Sequence, residues 1–373
     1  MRPTRVVLAP DSFKGSATSV QVAEALARGW RSVRPDDELV VAPMADGGEG
    51  TVDAVAAAVP GATPVPVRVT GPGGDDVDTH WLLLPDGSAL VELAACSGIA
   101  LLAEPAPLTA HTRGFGQAIA AALDHGVPRL LLALGGSCST DGGVGALREL
   151  GARPVDAAGG PAGDGGAGLA DLAALHLDGL RALPPDGVEV LTDVDSPLLG
   201  PLGAAHVFGP QKGATPDDLE VLEAAMARLA AVVAGERREP GLEDRPGAGA
   251  AGGSGFGLLA WGASLVLGAD RVASLSGLAE RIAAADLVVT GEGRYDAQSA
   301  AGKVPWHVRG LAEAAGVPVA LVAGSVDAAT GPFWAARSVL DSAGSLDEAM
   351  RRPLDHLEQI GADLAAAFGA APR

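Results

Sequence analysis

Val6-Val7-Leu8-Ala9-Pro10-Asp11-Ser12-Phe13-Lys14-Gly15 is the stretch that decides the fold. Four apolar residues in a row read as a buried strand, and they run directly into a short polar loop that ends on glycine. Beyond the loop, Val22, Ala23, Leu26, Ala27, Trp30 and Val33 recur at helical spacing. Leu39-Val40-Val41-Ala42 is a second short apolar run, and residues 50–59 read as a second helix. Strand, helix, strand, helix predicts a parallel sheet with helices on both faces. The same alternation returns near the other end, with a strand at residues 286–290, a helix at 305–315 and a strand at 317–322.

The middle of the chain reads differently. Residues 65–70, 81–84 and 89–93 are closely spaced strands separated by turn signals such as Gly71-Pro72-Gly73-Gly74. A helix at 117–123 and a strand at 130–134 follow. Thr215-Pro216-Asp217-Asp218 has the chemistry of a helix start: a capping hydroxyl, proline at the first position and acids in the first turn. Residues 236–253 read as a polar surface linker before a helix at 256–267, and the Gly/Ala-rich residues 159–168 as a mobile loop. The expected architecture is α/β with two domains. A Rossmann-like parallel-sheet domain is built from both chain ends, residues 1–70 and 260–373, and a mixed α/β domain, residues 71–259, is inserted between them.

Composition narrows the function. Of 373 residues 48% are hydrophobic but only 3% aromatic, so the core is built from small aliphatics and little surface is left for stacking bases or sugars. A net charge of −20 argues against nucleic acid or an anionic membrane as partner, since both need a broad basic face. No apolar run is long enough for a signal peptide or a membrane span, which points to the cytoplasm. Cys96 and Cys138 stand far apart, in no zinc or disulfide pattern. Nothing in the sequence excludes a homo-oligomer.

The lysines give the first hint of chemistry. There are three, Lys14, Lys212 and Lys303, each beside a glycine, and every other basic residue is arginine. From the glycine content this arises by chance about once in fifty. Glycine lets backbone approach an anion closely, and the compact ammonium adds charge that arginine would place differently.

Five glycine-rich loops carry polar or charged residues, nearly all after an expected strand, where open α/β sheets place their ligands. They start at Asp11-Ser12-Phe13-Lys14-Gly15, Asp46-Gly47-Gly48-Glu49-Gly50, Gly135-Gly136-Ser137-Cys138-Ser139, Asp193-Val194-Asp195 (running on to Lys212-Gly213) and Thr290-Gly291-Glu292-Gly293-Arg294, the last followed by Gly302-Lys303. Each alone is an ordinary turn. The chain has no dinucleotide fingerprint in a strand–helix setting, no P-loop, no nucleophile elbow and no HExxH pair. Together, the loops supply what phosphoryl transfer asks for: amide donors and lysines for phosphates, carboxylates for Mg2+, and a base near a hydroxyl.

Four of these stretches also resemble the type I glycerate kinase family. They are Ala9-Pro10-Asp11-Ser12-Phe13-Lys14-Gly15, Pro43-Met44-Ala45-Asp46-Gly47-Gly48-Glu49-Gly50-Thr51, Phe208-Gly209-Pro210-Gln211-Lys212-Gly213-Ala214 and Thr290-Gly291-Glu292-Gly293, in the family's order along residues 5–325. The resemblance implies ATP-dependent phosphorylation of D-glycerate with Mg2+, 2-phosphoglycerate being the favoured product, in a two-domain α/β fold whose active site lies in the cleft. A kinase for another small hydroxy acid, or a non-catalytic metabolite sensor of the same fold, is the alternative. The chain departs from the family where Ser139 and Thr140 stand in place of its usual Thr and Asn, and where Thr112-Arg113-Gly114 replaces a Thr-Tyr-Gly-like turn.

Lys14 and Asp193 are the expected catalytic residues. Lys14 would neutralise a phosphate or the glycerate carboxylate. Asp193 follows the apolar run at 188–192 and would act as base or Mg2+ ligand, or else cap the turn at Pro197. Strand alternation sends Asp195 to the opposite side. Asp11, Ser12, Gly15, Ser137, Ser139, Lys212, Glu292, Arg294 and Lys303 are the expected phosphate or substrate ligands. Arg294 reads either as a carboxylate reader or as a structural ion pair with Glu292 and Asp296. Asp46 and Glu49 are candidate metal ligands, although Glu49 equally suits the first turn of a helix.

Overall fold

The computed structural model describes residues 3–237, 240–296 and 303–370. The chain forms two compact units, one drawn from Met1–Asp46, Asp53–Pro60 and Ala269–Arg373, the other from Gly47–Val52 and Gly61–Gly268.

The first unit holds a five-stranded, wholly parallel sheet in the order Ala335–Ser338, Val319–Val326, Leu287–Tyr295, Arg5–Pro10, Glu38–Val41. The opening strand is central because its apolar run leaves no face for water: Val6, Val7, Leu8 and Ala9 are all buried. The helix Ser19–Val33 begins at a capping box between Thr18 and Gln21, and buries Val22, Ala23, Leu26, Ala27 and Trp30 on one face. Val33, on the same period, lies in the last turn and is 45% exposed. This helix packs against Pro353–Ala370 at backbone contact. A Cβ on Gly29 would lie 1.8 Å from the carbonyl oxygen of Glu358, so only glycine allows the crossing. Burial of Trp30 contributes roughly 3 kcal/mol to that seam.

The second unit carries a six-stranded mixed sheet, in the order Ser264–Val266, Val188–Leu191, Leu130–Ala133, Ala89–Glu92, Asp76–Leu83, Thr63–Thr70. The first four strands are mutually parallel, and Asp76–Leu83 runs antiparallel to both its neighbours, as the short turns on either side of it require.

Three segments differ from the sequence reading. The helix expected at 256–267 is Ala250–Trp261, broken near its start by a left-handed kink at Ala251-Gly252-Gly253 and ended by Gly262 in a left-handed conformation; Leu265 and Val266 then pair with Val190 and Leu191 as a strand. Gly247, Ala248, Gly249 and Ala250, expected in a surface linker, are buried. Within the Gly/Ala-rich residues 159–168, Gly159 and Pro161 are exposed, but the second half is packed rather than loose: a Cβ on Gly166 would sit 2.4 Å from the Thr140 carbonyl oxygen. Low complexity here marks close backbone approach. No helix among the described residues is long and apolar enough to cross a membrane.

Candidate active site

In the first unit, the opening strand delivers Asp11 to the sheet's carboxyl end, where its amide donates to the Gly291 carbonyl at 2.8 Å. The Asp11 carboxylate accepts from the Ser12 amide at 2.6 Å. The chain then folds into a tight turn: Phe13 and Ala17 exchange backbone bonds of 2.8 and 3.0 Å, and Phe13 is buried beneath as an anchor. Gly15 takes the left-handed φ of +78° that the turn needs. Lys14 is thereby presented to solvent at the tip. Gly293 runs directly below, where a Cβ would lie 3.3 Å from the Lys14 amide nitrogen.

This turn is one wall of a cavity of about 320 Å3 lying wholly in the first unit. Asp11, Ser12, Lys14, Asp46, Glu292, Arg294 and Lys303 line it, so seven of the residues singled out from sequence share one space. Glu292 is buried, with Lys303 Nζ 3.7 Å from its carboxylate. Arg294 pairs with Asp327 at 2.9 Å and with Asp296 at 3.5 Å while staying at the cavity edge. Asp327 was not visible as a partner in the sequence; it lies in the next strand's trailing loop. Burial and the Asp46 charge hold the Asp11 carboxyl well above the usual carboxylate range, with Glu292 adding to the rise; the Ser12 amide and Lys14 oppose it. Gly302 lies outside the described residues.

The remaining candidates belong to the second unit. Lys212 is 2% exposed; its ammonium donates to Ser137 Oγ at 3.0 Å and to the Ser139 carbonyl. No carboxylate among the described residues lies within ion-pair distance of it, and burial draws its pKa down to about 8. The Ser139 and Thr140 hydroxyls are buried without a hydrogen-bond partner among the described residues. A left-handed run, Ala251-Gly252-Gly253, crosses this loop, and the missing Cβ of Gly252 leaves room for Lys212 Nζ. Asp193 Oδ1 accepts from the Gly268 amide at 2.9 Å, and Asp195 is exposed. Glu49 packs by its Cβ near Gly136.

Two structural carboxylates emerge beside these. Glu92 accepts from the Gly50 and Val52 amides at 3.0 and 2.9 Å, taking the first-turn role that Glu49 suited. No local signal could show this, because Glu92 is 40 residues away inside a strand. Asp141 receives Thr112 through its amide (2.9 Å) and hydroxyl (2.8 Å), and the amides of Gly143 (3.1 Å) and Gly145 (3.2 Å). Arg113 pairs with Glu149 at 2.7 Å.

The sequence model of the glycerate kinase family matches residues 6–369. A glycerate kinase of Bacillus subtilis (strain 168) is 40% identical, covering 98% of this chain and 97% of the relative. A glycerate 2-kinase of Escherichia coli (strain K12) is 41% identical, with 97% of each covered. A crystal structure described as that of a glycerate kinase 2 from Salmonella typhimurium LT2 superposes with a TM-score of 0.84 at 38% identity, over 99% of both chains. The α/β frame and these likenesses define an enzyme of the kinase class. More narrowly, the chain belongs to the glycerate kinase family.

Proposed function

We propose that this enzyme transfers the γ-phosphoryl group of ATP to the 2-hydroxyl of D-glycerate, giving 2-phosphoglycerate and ADP, with Mg2+. The observation that carries the reading is the gathering of Asp11, Asp46 and Glu292 with Lys14, Arg294 and Lys303 around one cavity. The relatives named glycerate kinase and glycerate 2-kinase support the substrate and the position of transfer.

The donor set fits magnesium. Carboxylate oxygens are its usual protein ligands; burial first, and the Asp46 charge second, raise the Asp11 carboxyl, and a divalent cation would offset the charge repulsion between the two. Among the described residues no group of three or more His, Cys, Asp or Glu side chains is arranged to hold a metal ion, so the protein would supply one or two carboxylates and leave the rest of the shell to waters and phosphate oxygens. Asp11 and Asp46 would hold it, and bound there it would neutralise charge on the phosphates. Glu49 packs in the second unit and is the weaker ligand. Lys14, at a tip kept open by Gly15, meets the anionic oxygens of the transferring group, with Lys303 and Arg294 beside it. The Ser12 hydroxyl and the Gly15 amide add donors on the same turn. Asp193 takes the proton from the glycerate hydroxyl as its oxygen bonds to phosphorus and the β–γ bridging bond breaks. Lys212, with Ser137 and Ser139, is the anion-binding group of the second unit.

Small molecules are the proposed partners, since a net charge of −20 disfavours polyanions. Cys96 and Cys138 are free and buried, which supports a reducing, cytoplasmic setting. Purified protein with D-glycerate and MgATP should release ADP, with NMR locating the phosphate on C2 and EDTA stopping turnover. Absence of ADP release, or phosphate on C3, overturns the reading.

A further inference from the structure

We propose that the cavity of the first unit holds the whole donor nucleotide, with its base laid on the aliphatic wall of Leu340, Leu346 and Met350 and its phosphates at the Lys14 and Lys303 end. This rests on the reading above that a nucleoside triphosphate is the donor. It goes further by saying which unit binds the nucleotide and which residues recognise the base.

The cavity is two-faced. One end is the charged cluster already described. The rest of the lining is largely apolar and comes from the far C-terminal part of the chain, including Val339, Leu340, Leu346 and Met350. A substrate as small and polar as glycerate gains nothing from such a wall, whereas a flat base does, and its triphosphate needs the charged end. At about 320 Å3 the space lies within the range of small-molecule sites.

The wall also keeps large apolar groups in water. Leu346 is 65% exposed and Met350 46% exposed. They stand four residues apart on the short helix Leu346–Arg351, and therefore on one face of it. The Ser345 side chain caps that helix by accepting from the Glu348 amide, so the face is set before anything binds. Met350 reaches the Lys14–Gly15 turn: its methyl carbon lies 3.8 Å from where a Gly15 Cβ would be. Met350 thus brings the apolar lining to the turn that carries Lys14. Methionine adapts its shape to a flat ligand, which suits a chain with so few aromatic residues for stacking.

Calorimetric titration of the full chain with MgATP and with magnesium tripolyphosphate separates base from phosphate without needing turnover. The wild type should bind MgATP at least about tenfold more tightly than tripolyphosphate, the surplus coming from the base. The variant Leu346→Asn/Met350→Gln, which adds no charge, should lose that preference to within about threefold and bind tripolyphosphate as before. Its melting temperature should stay within about 2 °C, because both positions are exposed. Equal affinities in the wild type, no MgATP binding, or a preference kept in the double variant overturns the inference; the wild-type comparison decides even if the variant fails to fold. Any of these results beside normal ATP-dependent phosphorylation of glycerate leaves the proposed function standing, while nucleotide binding without phosphorylation removes that function and keeps the site.

Discussion

Replacing Lys212 with methionine should change how stability depends on pH. The ammonium is buried against Ser137 and the Ser139 carbonyl, and burial lowers its pKa from an ordinary 10.5 to about 8, while Cys138 and Asp141 pull weakly upward. In the unfolded chain the same group titrates near its ordinary value. Between pH 8 and 10.5 the unfolded chain therefore holds a proton that the folded one has released. Each pH unit in that window stabilises the folded state by about 1.4 kcal/mol. Over the whole window the gain is about 3 kcal/mol, fully present above 10.5 and lost as the pH falls through 8. Methionine, similar in length and without a proton to release, removes this term. Urea midpoints for both proteins from pH 7.5 to 10.5 give the difference directly. Cys96 and Tyr295 also titrate in alkali, but they are present in both proteins and cancel; Cys138, whose thiol the Lys212 charge pulls down, is replaced by alanine in both proteins so that it does not enter the comparison. With only two other lysines in the chain, few further groups obscure the window. The stability of the wild type relative to the variant should climb by about 3 kcal/mol. Parallel curves would refute the argument, and with it the view of Lys212 as a buried ammonium held at a desolvation cost.

Lys14→Met should lower kcat/KM by at least about a hundredfold in a coupled ADP assay, an effect of the electrostatic class, while Tm barely moves because the side chain is exposed. Asp193→Asn should depress kcat far more than it raises the glycerate KM, and Asp195→Asn should cost at least about tenfold less; equal small effects in steady-state kinetics would return Asp193 to a role in holding the Gly268 amide. Asp141→Asn should destabilise by about 2–3 kcal/mol in urea unfolding and leave the kcat of the folded protein intact. An amide can keep its oxygen toward Thr112 and Gly145 only by turning its NH2 against the Gly143 amide.

Much of the fold was legible because apolar period and strand position coincide. Residues 6–9, 130–134 and 287–289 are uninterrupted apolar runs, and they became interior parallel strands. The misread stretches share one cause. In residues 165–168 and 247–253, glycine and alanine pack backbone on backbone, an arrangement that leaves no hydrophobic period to read. The apolar wall at 339–353 gave no signal beside the loops at 11–15 and 292–294 that it joins, since nothing local ties segments so far apart.

The sequence by itself determined the elements, the glycine-rich turns after the strands, and the motifs that mark the family, because each depends on residues a few positions apart. Only the tertiary structure decided the state of the charged groups. Asp11 is an ordinary aspartate until the fold buries it and brings Asp46 and Glu292 beside it, and Lys212 an ordinary lysine until burial beside Ser137 and Ser139 removes its water. Desolvation and charge–charge energies depend on distance through space, and contacts between residues far apart along the chain exist only once the units have folded.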